Sequence, residues 1–438
     1  MGNFSLGVRA GYLLTMKGGS TAVLRDQFVG ISAGTISAVA PWADQKAQTF
    51  IDARDKVVMP GLINGHTHLP MSLFRGLADD LPFDEWLHGY ILPLEGEMVD
   101  SEFVRTGTEL SALELIRFGV TTVCDSYFFE DVVGDVLDRA GLRGLVSECV
   151  SDYPTPDKKN SKTGDYDVLE RMLEKFKDHE RVQTCIAPHA PYSCSDDTLK
   201  KAAAFAGKHG LTQNIHVSET EFEVADSRKK YGKSPVRRLK DLGVLELPCV
   251  CAHCVHLDED DMKIMAETGA SAIHNPQSNM KLSAGCAPVP AMLKNKVKVG
   301  LGTDGAASNN NLNLFEEMKT AALLQKLSQK SNSALGAAEV LKLATHSGAA
   351  ALGLGDKLGS LETGKLADLI VVGLDWPHLQ PVHDIPSQLA YAATGLEVET
   401  VVVQGRVLFE KGEFKTLDRA RIFKEASVWR DRIRQEIP

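Results

Sequence analysis

The feature that most limits what this chain can become is a repeated pairing of a short apolar run with a helical stretch. Between about residues 58 and 360 the runs "VTTVCDSY", "GLVSECV", "VQTCIAPH", "LTQNIHVSE", "LPCVCAHC", "ASAIHN" and "VKVGLGTDG" follow one another. Stretches such as "DDTLKKAAAFAGKHG" and "LNLFEEMKTAALLQKLSQK" separate them, with helical periodicity and good helix formers. With the opening run "VVMPGLI" there are about eight β/α units. That alternation predicts an α/β fold, a (β/α)8 TIM barrel of parallel strands.

The two ends of the chain read differently. "QFVGISAGTISAVAPW" holds two strand-like runs around Ala33-Gly34, and "GSLETGKLADLIVVGLD" and "ETVVVQGRVLFEKGEF" repeat that texture near the C-terminus. Residues 1–57 and 361–438 are therefore expected to form one small β domain, with 58–360 as the barrel.

Composition narrows the partners. The net charge is -10, and the longest basic runs are Lys158-Lys159, Arg228 to Lys230 and Arg237-Arg238, so nucleic acid is not an expected partner. No stretch reaches the ~18 to 20 uninterrupted apolar residues of a membrane span, and the N-terminus lacks the apolar core of a signal peptide. A cytoplasmic location follows as an expectation. The eight cysteines, three of them crowded in "PCVCAHC", read as reduced thiols rather than as a disulfide framework or a zinc knuckle.

Barrels carry their chemistry at the carboxyl ends of the strands, and here those ends bear polar residues. His66 and His68 close the first run in "GLINGHTHLP"; His189, His216, His253, His274 and Asp304 close the fourth to the eighth. Along a strand, residues i and i+2 share a face, so both imidazoles of the HxH pair can point at one spot. A ring of histidines around one mouth needs a reason, and a shared metal supplies it. Zinc favours nitrogen and carboxylate ligands, and a catalytic site leaves a position for water, whose pKa falls to roughly 7 on binding. His66, His68, His216 and Asp304 fit that need.

In "HVSET", Glu219 stands three residues after His216, within reach of such a water and able to pass its proton to a substrate atom. In "CVCAHCVHLDE" either His253 or His256 could orient the attacking oxygen; His253, nearer the strand, is preferred.

With these residues placed, the chain resembles the amidohydrolase superfamily, and within it the methylthioadenosine/S-adenosylhomocysteine deaminase group, related to guanine deaminases and triazine chlorohydrolases. The resemblance spans nearly the whole chain through "PGLINGHTHLPMSLFRGLADDLPFDEWL", "PHAPYSCS", "HVSETEFE", "AHCVHL", "HNPQSNMKLSAGCAPV" and "GTDGAASNNNLNLFEEM". It implies a barrel with a β-sandwich built from both termini, and metal ligands at His66, His68, His216 and Asp304. Two-metal relatives carry a bridging lysine after the fourth strand, whereas this chain reads "APHAPYS" there. One metal per subunit is expected, zinc first, with Fe2+ or Mn2+ compatible with the same ligand types.

The implied reaction is hydrolytic deamination of an adenine nucleoside. Glu219 protonates a ring nitrogen, and His253 with Asp304 holds and deprotonates the attacking water. The resemblance also assigns His189 to a purine nitrogen, Trp86 to a pocket wall and Glu95 to the ribose hydroxyls. It implies a homo-oligomer acting on a small nucleoside or base.

One departure bears on the substrate. Members that accept S-adenosylhomocysteine often place arginines after the third strand and in the next loop, suited to a carboxylate tail. Here the first place holds Glu148 and Asp152, and the loop offers only Lys158, Lys159 and Lys162. A neutral 5′ group, as in methylthioadenosine, 5′-deoxyadenosine or adenosine, is expected unless one of those lysines folds over the site. The rival readings are deamination of guanine, a pterin or a triazine, dechlorination of a triazine, hydrolysis of a cyclic amide, and a non-catalytic binding protein on the same fold.

Overall fold

A computed structural model describes residues 4–83, 85–157 and 165–437. Its strands are β1 (Phe4–Leu14), β2 (Val23–Ser32), β3 (Thr35–Pro41), β4 (Ala47–Pro60), β5 (Leu62–Thr67), β6 (Val120–Tyr127), β7 (Arg143–Val150) and β8 (Val182–Pro188). They continue with β9 (Gln213–Val217), β10 (Cys249–His253), β11 (Ser271–His274), β12 (Lys298–Leu301), β13 (Leu369–Gly373), β14 (Val398–Val403), β15 (Arg406–Glu410) and β16 (Glu413–Phe414).

The eight strands β5 to β12 lie side by side in chain order, and their pairings are parallel. Helices between them cover the outer face, so both faces of each strand are buried and the strands read as nearly unbroken apolar runs. This is the eight-unit barrel expected from the alternation. Asn64 joins the two ends of the order: its Oδ1 accepts from Thr303 N at 3.0 Å and its Nδ2 donates to Thr303 Oγ1 at 2.8 Å. Asp304 N donates to His66 O at 3.0 Å beside them.

Inside the barrel Ile63, Cys124, Leu145, Cys185, Val250 and Ile273 pack against Ala349 and Leu352 from the helix His346–Ala351 and its C-cap. That helix lies against β5, β11 and β12. The functional cavity is found at the carboxyl ends of the strands.

A second sheet draws on both termini in the order β16-β15-β14-β13-β4-β1-β2-β3. Its register shifts between Ala10 and Tyr12 in β1, Gly30 and Ile31 in β2, and Val371 and Val372 in β13. Such irregularities bend strands, and the sheet encloses its own core of Leu6, Val8, Leu13, Ile31, Ile51 and Val371 among others.

The run "VVMPGLI" is shared between the sheets: β4 ends at Pro60 and β5 begins at Leu62. Gly61 makes the crossing, where a Cβ would stand 2.2 Å from the Thr121 side chain. The chain finishes in a helix, Arg419–Glu436, that the sequence reading did not foresee. Its Trp429 meets the Phe103 ring edge-on, with centroids 5.2 Å apart. Among the described residues no helix is long and apolar enough to cross a membrane, and all eight cysteines are free.

Candidate active site

Each strand end contributes as the sequence spacing demands. Asn64 and His66 of β5 are fully buried, and the carbonyl of His66 is anchored by Asp304 N. His68, just past the strand, turns its Nδ1 to Ser126 O at the end of β6. His216 of β9 gives its Nδ1 to His189 O at 2.7 Å. A carbonyl can only accept, so each ring holds a proton on Nδ1, and in the neutral ring each Nε2 carries a bare lone pair.

Those two lone-pair atoms, His68 Nε2 and His216 Nε2, face one another at 3.3 Å. Asp304 Oδ1 lies 3.1 Å from His68 Nε2 and 3.4 Å from His66 Nε2. Neither ring nitrogen of His66 has a hydrogen bond among the described residues. Lone pairs and a carboxylate converging in a buried place repel unless a cation lies between them. The donor set therefore fits a divalent metal: ligand atoms of His66, His68 and His216 lie within 4.8 Å of one another, as do those of His66, His253 and Asp304.

Asp304 is held for this role. Its backbone is in the left-handed region, φ 63°, a conformation costly for a non-glycine residue. Oδ2 accepts from Ser278 Oγ at 2.7 Å and Ser308 Oγ at 2.6 Å, which leaves Oδ1 for the cluster. Burial works against its charge, but His66 and His68 hold the carboxyl well below the usual range. Gly302 lets the strand approach, since a Cβ there would stand 2.8 Å from His66 N.

A cavity opens over the cluster, lined by His68, His189, His216, Glu219, His253 and Asp304 at one end. Trp86, on the turn of π-helix Glu85–Ile91, and Glu95, on the helix Leu92–Met98, line it as well. The sequence-predicted residues thus converge on one place, His66 lying beneath the others. His256 does not line it; its Nε2 bonds to Ala284 O at 2.7 Å.

Burial pushes the Glu219 carboxyl above its ordinary range, while the nearby His253 works against that shift. It stands 3.8 Å from His253 Nδ1. Asn279 Oδ1 accepts from that Nδ1 at 2.9 Å, which leaves His253 Nε2 as the basic nitrogen. Burial lowers the pKa of His189 to about 4, so it is neutral, with Ser193 Oγ 2.7 Å from its Nδ1.

Several residues that shape this site were not singled out in the sequence. Glu223 is the clearest: its carboxylate accepts from Ser218 N at 2.9 Å and Glu219 N at 2.8 Å, pinning the turn that carries Glu219. Its position four residues after Glu219, at the start of the helix Glu221–Tyr231, was the available signal. Ser278, Asn279 and Tyr127 gave none, because their partners lie far along the chain, whereas Ser308 stands only four residues after its partner Asp304.

The positions expected to hold a tail-binding arginine are used otherwise. Glu148 turns inward to accept from Glu130 N at 2.8 Å, and Asp152 accepts from Ser195 N at 2.5 Å. Among the described residues lining the cavity there is no arginine or lysine. Lys158, Lys159 and Lys162 lie outside the described residues.

The model of the amidohydrolase family matches residues 57–408. The chain belongs to the amidohydrolase family. It is 45% identical over 382 residues to a 5-methylthioadenosine/S-adenosylhomocysteine deaminase of Caldanaerobacter subterraneus subsp. tengcongensis, covering 87% of this chain and 88% of that one. It is 42% identical over 423 residues to a 5′-deoxyadenosine deaminase of Methanosarcina mazei, covering 96% of each. The crystal structure of an adenosine deaminase from Xanthomonas campestris with bound zinc superposes with a TM-score of 0.96 at 39% identity, covering 99% of each chain. The barrel, its terminal sheet and the histidine-rich mouth are thus set in a family of hydrolases.

Proposed function

We propose that this amidohydrolase is a zinc-dependent hydrolytic deaminase of adenine nucleosides with a neutral 5′ group, namely 5′-methylthioadenosine, 5′-deoxyadenosine and adenosine. The observation that carries the reading is the facing pair of nitrogens, His68 Nε2 and His216 Nε2, closed by Asp304 Oδ1 and opening on a cavity lined by Glu219, whose carboxyl burial raises above its ordinary range. The names of the relatives at 45% and 42% identity support the substrate class. The described lining residues, which include no arginine or lysine, support a neutral 5′ group.

His66, His68, His216 and Asp304 would hold one Zn2+ per chain. Bound there, the ion supplies Lewis-acid activation of water at neutral pH. Glu219 delivers its proton to the ring nitrogen next to the amino-bearing carbon, which makes that carbon a better electrophile as water attacks. His253 Nε2 and Asp304 orient the water and take its proton. Glu219, now ionised, takes the proton of the new C–OH while the proton held by His253 passes to the amino group, so that ammonia leaves and the ring keeps the oxygen as the carbonyl of the inosine analogue. His189 holds a purine nitrogen, Trp86 walls the ring and Glu95 receives the sugar hydroxyls. Fe2+ or Mn2+ would suit the same ligand types.

The further parts of the proposal are the division into a β unit, 1–57 with 361–438, and a catalytic barrel, 58–360, a homo-oligomeric state, and a cytoplasmic location. The terminal sheet's own apolar core on one face supports the first. Exposed Leu323 and Leu327, one turn apart on the helix Leu314–Ser328, support the second.

The test is ammonia release by zinc-loaded protein from methylthioadenosine, 5′-deoxyadenosine, adenosine, S-adenosylhomocysteine, guanine and a pterin, against a metal-stripped control. The proposal expects metal-dependent turnover of the three neutral nucleosides, with S-adenosylhomocysteine the poorest nucleoside. Turnover of guanine or the pterin alone would replace the substrate class, and equal rates on S-adenosylhomocysteine would remove the neutral-5′ rule.

A further inference from the structure

Three carboxylic acids line the cavity among the described residues: Asp304 and Glu219 at the cluster, and Glu95 apart from them. Glu95 sits in the first turn of the helix Leu92–Met98 and lines the cavity together with the apolar Trp86, Ile91 and Phe128. Its Oε1 accepts from Tyr127 Oη at 2.6 Å. Tyr127 is the last residue of β6, itself 4% exposed, and its ring centroid is 6.4 Å from that of His68. The bond therefore ties the carboxyl on a loop-borne helix to the rigid barrel, beside the metal cluster.

We propose that Tyr127 is a positioning residue that fixes the Glu95 carboxyl as a reader of the vicinal sugar hydroxyls, so that the enzyme separates ribonucleosides from nucleosides lacking those groups. The inference rests on the adenine-nucleoside reading above and deepens it. With Oε1 held by the phenol, the remaining acceptor capacity of the carboxyl matches two adjacent O–H donors on one sugar edge. A nucleoside without them leaves a buried polar group unpaired, and a site built to bond a hydroxyl rejects the analogue that lacks it far more strongly than an apolar wall can. Burial keeps the phenol well above its ordinary range, so Tyr127 stays a donor at any working pH.

Removing the phenol hydroxyl frees Glu95 Oε1 and lets the carboxyl turn. The effect falls on substrates that use Glu95 and spares those that do not. Steady-state ammonia release by the zinc-loaded full chain is compared for adenosine and 2′,3′-dideoxyadenosine in wild type, Tyr127→Phe, Glu95→Gln and the double variant. Wild type is expected to prefer adenosine by at least about tenfold in kcat/KM, chiefly through KM. Tyr127→Phe should raise KM for adenosine about tenfold and leave both constants for the dideoxy compound within about twofold. Added to Glu95→Gln, it should narrow the preference no further.

Equal losses on both nucleosides in Tyr127→Phe, or an unchanged preference, would overturn the role of Tyr127. The same variant losing kcat on both would show a structural effect and overturn it equally. A wild type that deaminates neither nucleoside would instead bring down the parent reading.

Discussion

The mouth of the barrel and the sheet built from the termini solve opposite problems. In the terminal sheet, three tight hairpin turns, Ala33-Gly34, Gln404-Gly405 and Lys411-Gly412, each have both residues at positive φ, as two-residue type I′ loops require. At the mouth, positive φ falls on Ser218, His253 and Asp304, beside or within the groups that carry chemistry. The sheet's core is apolar, whereas the mouth buries the His66 ring without a hydrogen bond and raises the Glu95 and Glu219 carboxyls above their ordinary range. One region gathers what stabilises a fold; the other gathers what a fold tolerates only for function.

Variants that break this contrast should separate activity from stability. Asp304→Ala removes a proposed ligand and is expected to lose both zinc and turnover, by at least about a thousandfold, while the metal-free protein melts no lower than metal-free wild type. Metal analysis and calorimetry check both halves. Glu219→Gln should keep its zinc and lose about 10²- to 10⁴-fold in kcat. Wild-type-like turnover in that variant would end its assigned role.

The sheet should give the mirror image. Leu13→Ala, at a fully buried position, is expected to cost about 2 to 5 kcal/mol in urea unfolding and leave kcat/KM and zinc content unchanged. A large fall in activity per folded molecule would show that the two regions are coupled.

Two smaller effects sharpen the comparison. Burial raises the Glu95 carboxyl to about 7, against about 4.5 when unfolded. The folded state therefore binds the extra proton, so this stability is fully present below about 4.5 and lost as pH rises through about 7. Between pH 5 and 8 wild type should lose about 2 kcal/mol more than Glu95→Gln, read from paired denaturation curves. Glu223→Gln puts a donor against two backbone N–H groups and should lower kcat about tenfold with zinc retained. Unchanged kcat would show that the Glu219 turn holds itself.

What the sequence disclosed follows the same division. The alternating runs disclosed the barrel, and their polar ends disclosed the ring of His66, His68, His189, His216, His253 and Asp304, because strand periodicity is local. Trp86 and Glu95 came only by resemblance, since neither spacing nor composition marks a residue on the helical segment after β5. Ser278 and Asn279 stayed hidden because their bonds are set by how strand ends meet in space. The helix Arg419–Glu436 buries only Ile422, Trp429 and Ile433, too thin a stripe to declare itself before Phe103 is there to receive it.

The central claim is that one metal held by the strand-end cluster drives the deamination. The direct measurement is the rate of ammonia release from methylthioadenosine as metal-stripped protein is titrated with zinc. The account predicts no turnover without zinc and a linear rise that breaks at one equivalent per chain. Turnover indifferent to zinc, or a break at two equivalents, would contradict it.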